Sequence, residues 1–160
     1  MKVASSTAGK LERRSDGDDA GAWVSYVGEW RRGKRHDTGT CVYADGSTYS
    51  GEWSDGEAHG EGVRTRDGAI YRGQFIGGLR HGAGVLTTQE GDVYDGVFRE
   101  DAMAPDAAFT VTYADGRRYG GRVKDGVPSG SHGMMKYADG SFYEGDFADG
   151  LRSGKGTLFE

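Results

Sequence analysis

The chain has 160 residues, of which 35% are hydrophobic and 30 are glycine. This length is typical of one globular domain, but the low apolar content and the lack of sustained helical periodicity exclude a bulky core or a helical fold. The formal net charge of −5 argues against a nucleic-acid partner, because such binding depends on neutralising phosphates.

The first 22 residues are rich in small, polar and charged side chains and contain no aromatic residue. This composition predicts a disordered segment or a loose N-terminal cap over 1–22, followed by a structured array over 23–160. No apolar run approaches the roughly 20 residues that span a bilayer, so the sequence predicts no transmembrane segment. The single cysteine, Cys41, rules out an internal disulfide and favours a cytoplasmic location.

From Tyr26 onward, one motif recurs about every 23 residues. It consists of a lead Tyr, a Gly two places later and usually a Trp or Phe after two more. Clear copies begin at Tyr26, Tyr49, Tyr71, Tyr94 and Tyr143, and a weaker copy begins at Tyr119. A fixed period of this kind predicts an array of small units, so the function belongs to a surface and not to a catalytic pocket.

Each unit contains the signals of two strands and two turns. Side chains alternate along a strand, so Tyr26, Gly28 and Trp30 share one face. Acidic–Gly pairs such as Asp45-Gly46 precede the next lead Tyr and predict tight turns. Glycine within a strand indicates close approach by another group, and we expect an aromatic ring of a neighbouring unit to lie over it.

The full pattern, Tyr-x-Gly-x-Trp/Phe, then Gly, His-Gly-x-Gly and Asp-Gly, resembles the MORN (membrane occupation and recognition nexus) repeat over residues 23–160. The resemblance implies an all-β fold, an elongated single-layer antiparallel sheet of about six consecutive β-hairpins. It also implies roles in scaffolding and in cytoskeletal or flagellar assembly, with phospholipid contact in some members. The fourth copy departs from the pattern over 101–108, which is either a functional insertion or a decayed repeat. The fifth has Val123 in place of the aromatic residue.

Two sets of residues are candidate binding sites. The aromatic set holds adjacent hairpins together and could also line a groove for a protein partner. The basic set lies in what we expect to be the first long loop and could bind acidic phospholipids. The aromatic candidates are Tyr26, Trp30, Tyr49, Trp53, Tyr71, Phe75, Tyr94, Phe98, Tyr143 and Phe147, and the basic candidates are Arg31, Arg32, Lys34 and Arg35.

Catalysis and metal binding have little support in the sequence. His36, His59 and His81 occupy equivalent positions two strands apart, about 9 to 10 Å, whereas the ligands of one zinc ion lie about 2 Å from it. We therefore assign these histidines to fixing the loop before the Gly pair, and Cys41 to packing within a strand. The sequence predicts no enzyme activity, no catalytic or metal site and no cofactor.

The preferred function is a non-catalytic scaffold that binds another protein or a second copy of itself. The motivation is the open end of the sheet, where the apolar segment 157–160 would expose unpaired backbone groups. Such a protein would lie in the cytoplasm, free or attached to the cytoskeleton, a flagellum or the membrane periphery. The alternative is a peripheral membrane module that binds acidic phospholipids through its basic loops.

Overall fold

The computed structural model describes the backbone of residues 7–12 and the whole of residues 23–160. Strands make up 72% of the described residues, which contain no helix. The strands are β1 Thr7–Glu12, β2 Trp23–Arg31, β3 Lys34–Tyr43, β4 Thr48–Ser54, β5 Glu57–Arg66, β6 Ala69–Ile76, β7 Leu79–Thr87, β8 Val93–Arg99, β9 Ala102–Met103, β10 Ala108–Thr112, β11 Arg118–Lys124, β12 Val127–Pro128, β13 Gly130–Lys136, β14 Phe142–Ala148 and β15 Leu151–Phe159.

The prediction of an all-β fold made of consecutive antiparallel hairpins is confirmed. The chain divides into two compact units, residues 1–80 and residues 81–160. In each unit, every strand pairs antiparallel with the strand that precedes it and the strand that follows it in the sheet order.

In the first unit the sheet order is β1-β2-β3-β4-β5-β6. Glycines face one another across all six strands, in a column of Gly9, Gly28, Gly39, Gly51, Gly62 and Gly73. β1 lies within the segment predicted to be disordered or a loose cap, and it pairs with β2 along its whole length. The rest of that prediction lies outside the described residues, and the boundary at residue 23 stays a prediction.

In the second unit the sheet order is β7-β8-β10-β11-β13-β14-β15. Two short strands complete it, because β9 pairs with β8 and β12 pairs with β11. They belong to the irregular fourth and fifth repeats, where the return strand leaves the ladder and rejoins it. Each of these repeats therefore still forms a hairpin, with a break in its second strand.

Two kinds of turn connect the strands. A two-residue turn joins the strands of each hairpin, as at Asp55-Gly56, where both residues have positive φ (50° and 90°). This is the backbone of a type I′ turn, whose twist matches that of the flanking strands. Several units are joined by a wider turn, as at Tyr43–Ser47, where Asp45 Oδ1 accepts the Ser47 N–H at 2.8 Å.

The core is a row of rings lying on the glycine column. A Cβ on Gly39 would collide with the ring of Tyr26, and one on Gly62 would collide with the ring of Tyr49. The ring over these two glycines thus comes from the lead Tyr of the same hairpin. The ring that we expected from a neighbouring unit is found at Gly133, where a Cβ would collide with Phe147 of the following hairpin. The tyrosine is longer than the strand spacing, so it reaches across to the return strand of its own hairpin.

Candidate functional site

The aromatic candidates form a continuous edge-to-face row in the first unit, and in the second unit Phe147 packs edge-to-face on Tyr143. Tyr26 and Trp53 have ring centroids 5.4 Å apart, and Tyr49 and Phe75 have theirs 4.9 Å apart. Nine of the ten rings are buried, and only Trp30 is half-exposed. The rings therefore pack the hairpins together, and of the predicted groove residues only Trp30 offers a ring face to a partner.

Contacts between successive hairpins follow one geometry. The second aromatic residue of a hairpin packs on the lead tyrosine of the hairpin before it, as Phe147 does on Tyr119 at 5.2 Å. The turn glycine of that hairpin also donates its N–H to the hairpin before it, as Gly56 does to the Arg35 carbonyl at 2.9 Å. Ring packing and backbone hydrogen bonding together fix the register of each hairpin on its neighbour.

The sequence predicted that the basic candidates lie in a long loop, and this prediction is wrong. Arg31 ends β2 and Lys34 begins β3, so only Arg32 and Gly33 form the connection, with φ of 51° and 75°. Gly33, which follows Arg32, allows a tight turn here. The sequence analysis predicted tight turns only at acidic–Gly pairs. Three exposed cations therefore stand at the tip of a hairpin.

The fourth basic candidate, Arg35, is engaged in the fold. Its guanidinium carbon lies 4.4 Å from the ring centroid of Trp53, and Nη2 donates to the Gly56 carbonyl at 2.7 Å. Nη1 lies 3.2 Å from Cys41 Sγ. This side chain is committed to three contacts within the first unit and is not a free surface cation.

The histidines mark β-bulges and not loops. His36, His59 and His81 lie in strands β3, β5 and β7. After each of them comes a residue with positive φ, Asp37, Gly60 or Gly82. The bulge in β5 is held by Glu52, whose Oε2 accepts the Glu61 N–H at 2.5 Å. Among the described residues, no three His, Cys, Asp or Glu side chains come together as a metal site would require.

The predicted packing role of Cys41 is confirmed, since its side chain is fully buried. Burial raises the pKa of the Cys41 thiol, and the nearby Arg35 guanidinium lowers it to a smaller extent. Burial likewise raises the pKa of the Tyr26 phenol to about 12. In both groups the effect of burial is the larger one and favours the neutral form, so these groups behave as core residues.

Sequence reasoning identified the end of β15, within 157–160, as an exposed edge but missed Leu151 and Arg152 earlier in the same strand. The whole strand is exposed, and Leu151 retains 72% of its accessible surface. β15 pairs with β14 on one side, and its other edge has no strand partner among the described residues. A cavity of about 680 Å³ beside the β13–β14 turn is lined by residues of that turn, such as Asp139 and Ser141, and also by Arg152 and Leu158. Arg152 could have been found from the sequence, because it stands nine residues after a lead Tyr, as Arg35 does.

The family comparison agrees with this geometry. The MORN repeat profile matches residues 26–48, 49–68, 71–93 and 143–159, just over half of the chain. The chain belongs to the MORN-repeat family. No curated protein matches this MORN-repeat chain. The unmatched stretch 94–142 contains the fourth and fifth repeats, whose return strands are interrupted by bulges.

Membership of the MORN-repeat family fits a repeat scaffold or a membrane-associated module, and the family is generally non-catalytic. Within the described residues, no helix has the length and apolar character that crossing a bilayer requires.

Proposed function

We propose that this MORN-repeat chain is a non-catalytic scaffold that binds a protein, a different one or a second copy of itself, through the edge of β15. The observation that carries the proposal is a nine-residue strand with an unpaired edge and exposed apolar side chains, Leu151 and Leu158 among them. An edge of this kind binds an extended segment of another chain through backbone hydrogen bonds, with side chains adding specificity. Cytoskeletal or flagellar attachment belongs to the same proposal, because such structures are built by repeated protein contacts.

The test is partner capture from the native cell with quantitative mass spectrometry. The variant Leu151→Lys/Leu158→Lys places charge on two exposed positions of β15 and leaves the buried rings intact. Val97→Lys is the matched control, since Val97 is an exposed strand residue of the same unit, away from β15. Partners should disappear with the β15 variant and persist with the control; a partner set unchanged in both would contradict the proposal.

Self-association is tested separately by light scattering over a range of protein concentrations. Pairing of β15 with a second copy would raise the mean mass toward that of a dimer, and Leu151→Lys/Leu158→Lys would reverse the rise. A mass that stays monomeric at every concentration would remove self-association and leave a different protein as the partner.

A membrane-associated role is the second candidate, and the cluster of Arg31, Arg32 and Lys34 at one exposed hairpin tip favours it. Each cation near an anionic surface contributes about 1 kcal/mol, so three give weak, salt-sensitive attachment. The chain should sediment with anionic vesicles at low salt and should fail to do so after all three are changed to Glu. Arg117→Glu/Arg118→Glu is the control, and equal sedimentation of the two variants would contradict this role.

A further inference from the structure

A recurring seat for the next hairpin can be defined from the contacts within each unit. It consists of a lead tyrosine, whose ring receives an aromatic side chain, and the carbonyl nine residues later, which accepts the N–H of a turn glycine. In the first unit Gly56 donates to Arg35 and Gly78 donates to Ala58, at 2.9 and 3.0 Å. In the second unit Gly150 donates to Pro128 at 3.0 Å. We call this arrangement the hairpin seat.

The seat on the first repeat shows what makes it fit an indole. Trp53 packs on Tyr26, and Trp53 Nε1 donates to the Gly39 carbonyl at 2.9 Å. Arg35 covers the other side of the indole at 4.4 Å, a cation–π contact. The seat thus provides an aromatic edge, a hydrogen-bond acceptor for the indole N–H and a cation over its face.

The last repeat has corresponding residues at the same spacings. In both repeats an arginine, the glycine with the acceptor carbonyl and an apolar side chain stand 9, 13 and 15 residues after the lead tyrosine. Tyr26, Arg35, Gly39 and Cys41 of the first repeat correspond to Tyr143, Arg152, Gly156 and Leu158 of the last.

Two residues of this second set, Arg152 and Leu158, are exposed on β15, whereas Tyr143 is buried. The Arg152 guanidinium lies over the ring of Tyr143, 5.6 Å from its centroid, and the Arg152 side chain is exposed. Leu158 keeps 42% of its surface, whereas Cys41 at the equivalent position is fully buried beneath its neighbours. Arg152 and Leu158 also line the cavity of about 680 Å³ beside the β13–β14 turn.

We propose that the β15 edge is a hairpin seat for a partner β-hairpin that carries a Trp or Phe three residues before a turn glycine. The register follows from β3 and β4, where Trp53 faces Asp37 and Gly51 faces Gly39. The incoming aromatic residue therefore faces Gly154, and a glycine two residues earlier in the same strand faces Gly156. Tryptophan fits best, because the Gly156 carbonyl accepts an indole N–H and Arg152 covers the ring.

The proposal rests on the proposed function, and it narrows the kind of partner. A second copy paired through β15, with Gly156 facing Gly156, would place Leu158 opposite Gly154. An aliphatic side chain there neither donates to the carbonyl of Gly156 nor offers a π face to Arg152. The seat therefore favours an aromatic hairpin over a second β15.

The test joins residues 44–66 to the end of the full chain through a flexible Gly/Ser linker. This segment contains the β4–β5 hairpin, which occupies the seat on the first repeat. The linker raises the local concentration to about the millimolar range, so weak docking becomes measurable. The chain has three tryptophans, so the added one gives a fourth indole N–H signal in a ¹⁵N-labelled sample.

Docking should shift the Gly156 amide signal and slow hydrogen exchange of the fourth indole at least about 10-fold relative to the free peptide. Arg152→Ala in the main chain, or Trp→Ala in the added hairpin, should abolish the Gly156 shift. The control Arg118→Ala, an exposed strand residue of the same unit, should leave both signals unchanged.

Three outcomes would overturn the seat. One is a fourth indole that exchanges as fast as in the free peptide. Another is equal protection in the Arg152→Ala variant. The third is a concentration-dependent dimer in which β15 amides are protected without any added hairpin, because a second copy would then cover the edge. Failure of partner capture from cells, with the added hairpin still docked, would count against the proposed function alone.

Discussion

Single glycines decide where the tyrosine rings can lie. Gly39 is paired with Gly28 on one side and Gly51 on the other, and Tyr26 lies over it. Any side chain at position 39 would need the space that the buried ring of Tyr26 already fills. Packing of the tyrosine rings therefore requires glycine in the column, just as backbone conformation requires glycine in turns.

Gly39→Ala should lower the free energy of unfolding by about 1–3 kcal/mol, because the added methyl group displaces the Tyr26 ring from a packed position. Urea denaturation measures the change. Gly120→Ala is the control: nothing lies within 4 Å of a Cβ built there, so its effect should stay within about 0.5 kcal/mol. Equal shifts for the two variants would refute the packing role of the column.

The Cys41 thiol should react slowly in the folded protein, because it is buried and because burial raises its pKa. At about pH 8 we expect modification by an aromatic disulfide reagent to be at least about 100-fold slower in the native state than in denaturant. Ser50→Cys in a Cys41→Ala background gives the exposed comparison on β4. Native Cys41 reacting as fast as that cysteine would show that the strand opens readily.

At the scale of elements, the wide turns depend on a carboxylate. Asp139 Oδ1 accepts hydrogen bonds from Ser141 Oγ at 2.6 Å and Ser141 N at 3.0 Å. These two bonds lower the pKa of the Asp139 carboxyl, with the side-chain bond the larger cause. A lowered folded-state pKa means that the stabilisation is present above the unfolded value of 3.8 and is lost as the pH falls through the folded value.

Asp139→Ala should therefore lower the melting temperature at about pH 7, and the difference from wild type should vanish at about pH 2. Ser141→Ala removes only the hydroxyl donor and keeps the backbone bond, so its effect should be smaller. Thermal unfolding followed by circular dichroism compares the three chains. A difference that is the same at both pH values would show that the carboxylate charge has no part in the turn.

The hairpins themselves were predictable because their signals are local. Asp67-Gly68 forms the tight turn that an acidic–Gly pair before a lead Tyr predicts. The tight turn predicted at Asp45-Gly46 is wrong, because this pair lies in the wider Tyr43–Ser47 turn. The first connection was misread as a loop, because Arg32 adopts positive φ without being one of the residues that normally signal it. The bulges were also missed, since they depend on the pairing of two strands and on a side chain such as Glu52.

At the scale of the whole molecule, neutral phenols are part of the core in both units. Burial raises the pKa of Tyr26 and of Tyr113 to about 12, from an ordinary value of 10.0. A raised folded-state pKa means that the stabilisation is complete below the unfolded value and is lost as the pH rises through the folded one. The unfolded chain ionises first, so alkaline pH favours unfolding.

The urea midpoint should accordingly fall between about pH 10 and about pH 12, while it changes little between about pH 7 and about pH 9. The part of the phenolate absorbance that comes from buried rings such as Tyr26, recorded in the same titration, should appear only with unfolding. Ionisation of all nine tyrosines with the fold intact at about pH 11 would contradict the burial of these rings.

The sequence by itself determined the period, the β-hairpins and the family, because turn chemistry and strand alternation act between residues close in the chain. It also identified the residues of the aromatic row, but not whether their rings are buried. Only the tertiary structure decided that nine of those ten rings are buried, that Arg35 is held by Trp53 and Gly56, and that the exposed Arg152 lies over the ring of Tyr143. Whether a side chain is buried depends on the hairpin that packs against it. The sequence of a single repeat therefore does not determine it.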